Sequence, residues 1–83
     1  MFQILVIDDD TAVQELLRRT LKKQGYEVTV ASNGEDGVAQ AQKLRPALII
    51  CDWIVPRLTG IDVCRRVKAD PELSTTQFFL LTS

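Results

Sequence analysis

Four aspartates carry most of the chemistry open to this sequence. Asp8, Asp9 and Asp10 follow a short apolar run from Phe2 to Ile7, and Asp52 follows a second run from Ala47 to Cys51. Both runs read as buried strands, the first rich in β-branched residues and bounded by the three aspartates. In an open parallel α/β sheet, ligands bind beyond the carboxyl ends of the strands, where the strand order reverses. If these two strands are neighbours, their ends lie about 5 Å apart, and Asp8, Asp9 and Asp52 converge on one pocket. Two unit charges ~5 Å apart repel by about 3 kcal/mol at an effective dielectric of ~20. A fold keeps such a cluster when the charges have a task or when a cation offsets them. Oxygen-only donors on a rigid edge, with room for water, suit Mg²⁺ or Mn²⁺. The plainer reading of Asp8 to Asp10 is a solvated turn and a helix N-cap, and it suits Asp10 best.

The elements that must position these groups are legible in the same way. Val13, Leu16, Leu17 and Leu21 recur at helical spacing, with Gln14, Glu15, Arg18, Arg19, Lys22 and Lys23 between them, which reads as an amphipathic helix. Gly25 offers a left-handed stop. Tyr26 to Ala31 alternates as a second strand. Ser32 with Glu35 resembles a capping box for a helix that runs to about Leu44 and ends at Arg45-Pro46. The run Ala47 to Cys51 suits a strand covered on both faces. A loop with Pro56 and Gly60 comes next, then a helix whose buried face is marked by Ile61, Cys64 and Val67 and which stops near Asp70-Pro71. Phe78 to Leu81 reads as a fourth strand. The order β-α-β-α-β-α-β implies an α/β fold with a parallel sheet and right-handed crossovers.

Composition narrows the field. The chain has 83 residues, a size for one domain, and a formal net charge of −1. Its Lys and Arg are scattered, so nucleic-acid binding by this segment is not expected, since that needs a concentrated basic patch. With two cysteines, Cys51 and Cys64, and no histidine, the chain cannot build a zinc site alone. Both cysteines read as small core residues rather than redox groups. No apolar stretch is long enough for a membrane span and no signal peptide is visible, so a cytoplasmic location is expected.

Three segments together resemble the response-regulator receiver domains of two-component signalling. The run Ile4-Leu5-Val6-Ile7-Asp8-Asp9-Asp10 resembles their acidic strand end. The run Leu48-Ile49-Ile50-Cys51-Asp52-Trp53-Ile54-Val55-Pro56, followed by Gly60, resembles their phosphoacceptor strand and loop. Leu80-Leu81-Thr82-Ser83 resembles their fourth strand, which closes on a hydroxyl residue. The resemblance implies a flavodoxin-like doubly wound sheet in the order 2-1-3-4. It implies that Asp52 takes a phosphoryl group from the phosphohistidine of a sensor histidine kinase or a phosphotransfer protein, in a Mg²⁺-dependent step that controls an output. It also implies that Asp9, Asp52 and the carbonyl of Ile54 hold the metal, that Asp8 holds it through water, and that Thr82 donates its hydroxyl to a phosphoryl oxygen. Such a chain is a phosphoacceptor rather than an enzyme, with at most self-phosphorylation and self-dephosphorylation.

The sequence departs from the family pattern after the fourth strand. The family's lysine at the end of a fifth strand has no counterpart, because Lys22, Lys23, Lys43 and Lys68 all fall on helices. The reading is therefore residues 1–83 as the N-terminal portion of a receiver, with self-association through an exposed edge of strand 4 expected. Two rival readings stay open. A haloacid-dehalogenase-like phosphatase would use Asp8-x-Asp10 and Thr82, with Asp8 as nucleophile, although Ala12 stands where a Thr or Val is expected. A receiver-like interaction module would keep the fold without phosphorylation.

Overall fold

The computed structural model of the chain describes residues 2–81. Its elements run β1 (Gln3–Ile7), α1 (Thr11–Lys23), β2 (Glu27–Ala31), α2 (Gly34–Leu44), β3 (Leu48–Asp52), α3 (Gly60–Ala69), a 3-10 turn (Pro71–Leu73) and β4 (Gln77–Leu81). All strand pairs are parallel, and the sheet order is β2-β1-β3-β4. That is the expected doubly wound order, with the reversal between β1 and β3. The chain leaves β1 toward β2 on one side and crosses to β3 on the other.

Side-chain alternation explains why this sheet closes on helices. Leu5, Ile7, Ile49 and Cys51 point to one face, are wholly buried, and pack with Val38 and Ala41 of α2 and Val63 and Val67 of α3. Ile4 and Val6 alternate to the opposite face and are also buried, while α1 packs against β1 and β2. β1 is therefore covered on both faces. β3 differs from expectation: Ile49 and Cys51 are buried but Leu48 and Ile50 are only half-buried. On the same face of β4, Phe79 is 58% and Leu81 41% exposed. Among the described residues β4 is an edge strand.

Each helix starts on a side chain that satisfies orphan backbone N–H groups. Asp10 accepts from Ala12 and Val13 at the head of α1. Thr59 accepts from Asp62 at the head of α3. Gly25, at φ +91°, turns the chain after α1 into β2.

Three local expectations are corrected. The cap of α2 is Asn33, not Ser32: Asn33 Oδ1 accepts from the N–H of Asp36, and its amide donates to the Asp36 carboxylate at 2.9 Å. Both Ser32/Glu35 and Asn33/Asp36 fit the spacing of a capping box, so the sequence admits either frame. Leu16, read as part of the buried stripe of α1, is 66% exposed, and Gln14, read as polar surface, is buried. In α3 the inward positions are Val63 and Val67, while Ile61 is exposed and Cys64 half-buried.

Candidate metal centre

The register between β1 and β3 builds the site. Ile7 pairs with Cys51, so the next residues, Asp8 and Asp52, leave the sheet side by side. Asp8, Asp9 and Asp52 each present a carboxylate oxygen, and these oxygens lie within 4.8 Å of one another. The convergence expected from the sequence is therefore present. Burial grades across the group: Asp8 is 5% exposed, Asp52 is half-buried, and Asp9 is exposed. Asp10 stands apart, its carboxylate taken by the cap of α1. The phosphatase reading needs the Asp10 carboxylate free beside Asp8, whereas here it caps α1.

The loop after Asp52 is held on several sides. The N–H of Trp53 donates to the carbonyl of Leu81 (2.9 Å), and the carbonyl of Trp53 accepts from Gly60 (2.8 Å). The carbonyl of Pro56 accepts from Gly34 at the head of α2 (3.0 Å), and Val55 is buried. Ile54 lies on this loop with its side chain 73% exposed. Trp53, 42% exposed, sits on the rim next to Asp52. Thr82, the expected hydroxyl donor, lies outside the described residues. Of the four lysines, Lys22, Lys23 and Lys43 are in the last turns of α1 and α2. Lys68 donates to the carbonyl of Thr76, at the start of β4 rather than at the acidic end.

The electrostatics carry the mark of burial first and of crowding second. Burial pushes the Asp8 carboxyl above the ordinary aspartate range; the N–H of Asp10, 2.9 Å from Oδ1, opposes that rise, while the charges of Asp52, Asp9 and Asp10 add to it. Burial likewise pushes the Cys51 thiol up to about 12, with Asp52 and Asp8 contributing, so Cys51 is a core residue and not a thiolate. The three clustered carboxylates supply only oxygen donors, several negative charges and an exposed side for water. Those properties fit a hard divalent cation such as Mg²⁺.

The crowding can be tested through stability. A carboxyl whose folded pKa is raised binds protons more tightly in the fold than in the unfolded chain. Its stabilising effect is present below the ordinary aspartate pKa and is lost as pH rises through the raised value. Asp8→Asn keeps an oxygen for the Asp10 N–H and removes the charge. Relief of about 1 kcal/mol raises the melting temperature of a chain this size by about 4–8 °C. Melts in a chelator should show that gain near neutral pH and a smaller one at about pH 4. A lower melting temperature near neutral pH would contradict the argument that burial and crowding together penalise the charged Asp8.

Gln14 is the residue at this end of the sheet that sequence reasoning missed. Its side-chain amide donates to the backbone carbonyl of Asp8 and to the hydroxyl of Ser32, the latter at 3.1 Å. A glutamine inside a polar helical stripe gives no sign of burial. The one available hint was its position, one turn past the Asp8–Asp10 run.

Comparison with known proteins agrees with this geometry. The family model described as the response regulator receiver domain matches residues 4–83. The phosphate regulon transcriptional regulatory protein PhoB of Rhizobium meliloti is 35% identical over 81 residues, covering 98% of this chain and 36% of that protein. Chemotaxis response regulator CheY4 of Vibrio cholerae superposes with a TM-score of 0.93 at 31% identity, covering 96% of this chain and 67% of its own. The receiver domain of the sensor histidine kinase PA1611 of Pseudomonas aeruginosa, solved with a magnesium ion in its active-site cleft, superposes with a TM-score of 0.92 at 27% identity, covering 98% of this chain and 66% of its own. The chain thus spans about a third of the length of the curated relatives it matches. Among the described residues no helix is long and apolar enough to cross a membrane.

Proposed function

Since the chain belongs to the response regulator receiver family, we propose that it accepts a phosphoryl group on Asp52 from the phosphohistidine of a sensor histidine kinase or phosphotransfer protein. The observation that carries this reading is the convergence of Asp8, Asp9 and Asp52 oxygens within 4.8 Å at the strand reversal. An Asp52 carboxylate oxygen forms the new bond to phosphorus as the bond from phosphorus to the imidazole nitrogen breaks. The imidazole leaves and keeps or regains its proton. No general base is required, because the carboxylate is already ionised and aspartyl phosphates are an established type of covalent intermediate.

Asp9, Asp52 and the carbonyl of Ile54 would hold Mg²⁺, with Asp8 acting through water. When bound, the ion supplies charge neutralisation at the phosphoryl oxygens. The chain's own contribution is placement. The pinned loop from Trp53 to Gly60 fixes where Asp52 can point, and preset geometry of that kind lowers the entropic part of the barrier. Thr82 has the role that the resemblance gives it, donating its hydroxyl to a phosphoryl oxygen. The chain acts as a phosphoacceptor and not as a turnover catalyst. A soluble acyl-phosphate donor with Mg²⁺ tests this. We expect one phosphoryl group per chain, stable to acid and lost in alkaline hydroxylamine, and none in a chelator. Mg²⁺ binding without phosphoryl uptake from a small donor or a phosphorylated kinase would favour the interaction-module reading.

A further inference from the structure

We infer that Gln14 is a positioning residue: its side-chain amide fixes the peptide between Asp8 and Asp9 and so presets the acidic pair for a divalent cation. This rests on the metal-site reading above and adds a part to it. Asp8 is the first residue of its strand end beyond the β1 ladder. Its N–H donates to the carbonyl of Ala31 (3.0 Å), and its Oδ1 accepts from the N–H of Asp10 (2.9 Å). Its carbonyl is taken by the Gln14 amide. Asp8 is therefore held through its N–H, its carbonyl and its carboxylate within the described residues.

The carbonyl of Asp8 belongs to the same planar peptide as the N–H of Asp9. Holding that oxygen sets the plane of the peptide and the position of the Asp9 Cα, which narrows the directions in which the Asp9 carboxylate can leave the strand. Asp9 itself is exposed. The same amide reaches Ser32 Oγ, just past β2. One buried side chain on α1 thus ties together the ends of β1 and β2, on the side of Asp8 away from β3 and Asp52. It acts one residue from a proposed ligand.

Gln14→Met keeps the length and approximate volume and removes the donor. Partners of metal-ligating groups typically change metal affinity by about 10–100-fold when lost. We expect Gln14→Met in the full chain to weaken Mg²⁺ binding by about tenfold, read by calorimetric titration with magnesium chloride and by Trp53 emission, while the metal-free protein still melts cooperatively. Should that variant fail to fold, Ser32→Ala decides alone. Ser32 is exposed, so its loss spares the core and removes one of the two acceptors that orient the amide; a weakening of about two- to threefold is expected. Folded variants with wild-type Mg²⁺ affinity and only a lower melting temperature would overturn the positioning role. Wild-type chain that binds no Mg²⁺ would overturn the metal site itself, and the positioning role with it.

Discussion

Asp9→Ala and Asp52→Asn are each expected to weaken Mg²⁺ binding by at least about tenfold, a loss of about 1.4 kcal/mol or more. The carboxylate oxygens of Asp8, Asp9 and Asp52 lie within 4.8 Å of one another. A cation among them would be close to each. One unit charge about 4 Å from another contributes about 4 kcal/mol at an effective dielectric of ~20. Asp9 is exposed and Asp52 half-buried, so solvent screening leaves only part of that. Removing either carboxylate also relieves repulsion on the other two, so the metal-free variants should melt no lower than wild type. Opposite signs for affinity and stability are the signature of a site whose charges are arranged for a ligand rather than for the fold. Calorimetric titration beside thermal melts measures both. Unchanged Mg²⁺ affinity in the two variants would remove the metal from this site.

The second large effect is expected at Gly60, at the far end of the loop that follows Asp52. A Cβ there would stand 2.6 Å from the backbone carbonyl oxygen of Asp52, 3.1 Å from Cα of Trp53 and 2.7 Å from Cδ1 of Leu80. Two of these are backbone atoms and cannot swing away as a side chain would. The N–H of Gly60 donates to the carbonyl of Trp53, so the helix start is also tied to the segment it would push. Gly60→Ala should therefore destabilise the chain by about 1–3 kcal/mol, the usual range for forced overpacking, despite the gain in helix propensity. It should also weaken Mg²⁺ binding, because the displaced atoms belong to Asp52 and its neighbour. Chemical denaturation and a Mg²⁺ titration of the same sample check both halves. A variant as stable as wild type would show that the loop has slack that the structure does not.

Much of this was legible in the sequence, for physical reasons that differ by residue. Apolar runs that end abruptly in aspartate mark β1 and β3, and the alternation with helices fixes a parallel sheet. Two such strands as neighbours across the order reversal bring Asp8 and Asp52 together, which register then confirms at Ile7 and Cys51. Asp10 as the cap of α1 is set by residue type and position. Finer placement was ambiguous where two frames satisfy the same rule. Ser32 and Asn33 are both good caps with an acidic residue three positions on, and only the packed structure selects Asn33. In α1 a stripe of three leucines and a valine is wider than the contact it makes, so Leu16 is left in solvent. Gln14 escaped because its burial depends on the carbonyl of Asp8, a partner that no periodicity reveals. Thr82 was read from the pattern Leu80-Leu81-Thr82-Ser83 and lies outside the described residues.

The most direct measurement is to locate the modified residue. The chain is treated with an acyl-phosphate donor and Mg²⁺, the acyl phosphate is trapped by borohydride reduction, and the site is read by peptide mass spectrometry. Modification at Asp52 alone, absent in Asp52→Asn and absent when Mg²⁺ is chelated, is the expected result. Modification at Asp8, or uptake at Asp52 that persists in a chelator, would contradict a metal-assisted phosphoacceptor at the end of β3.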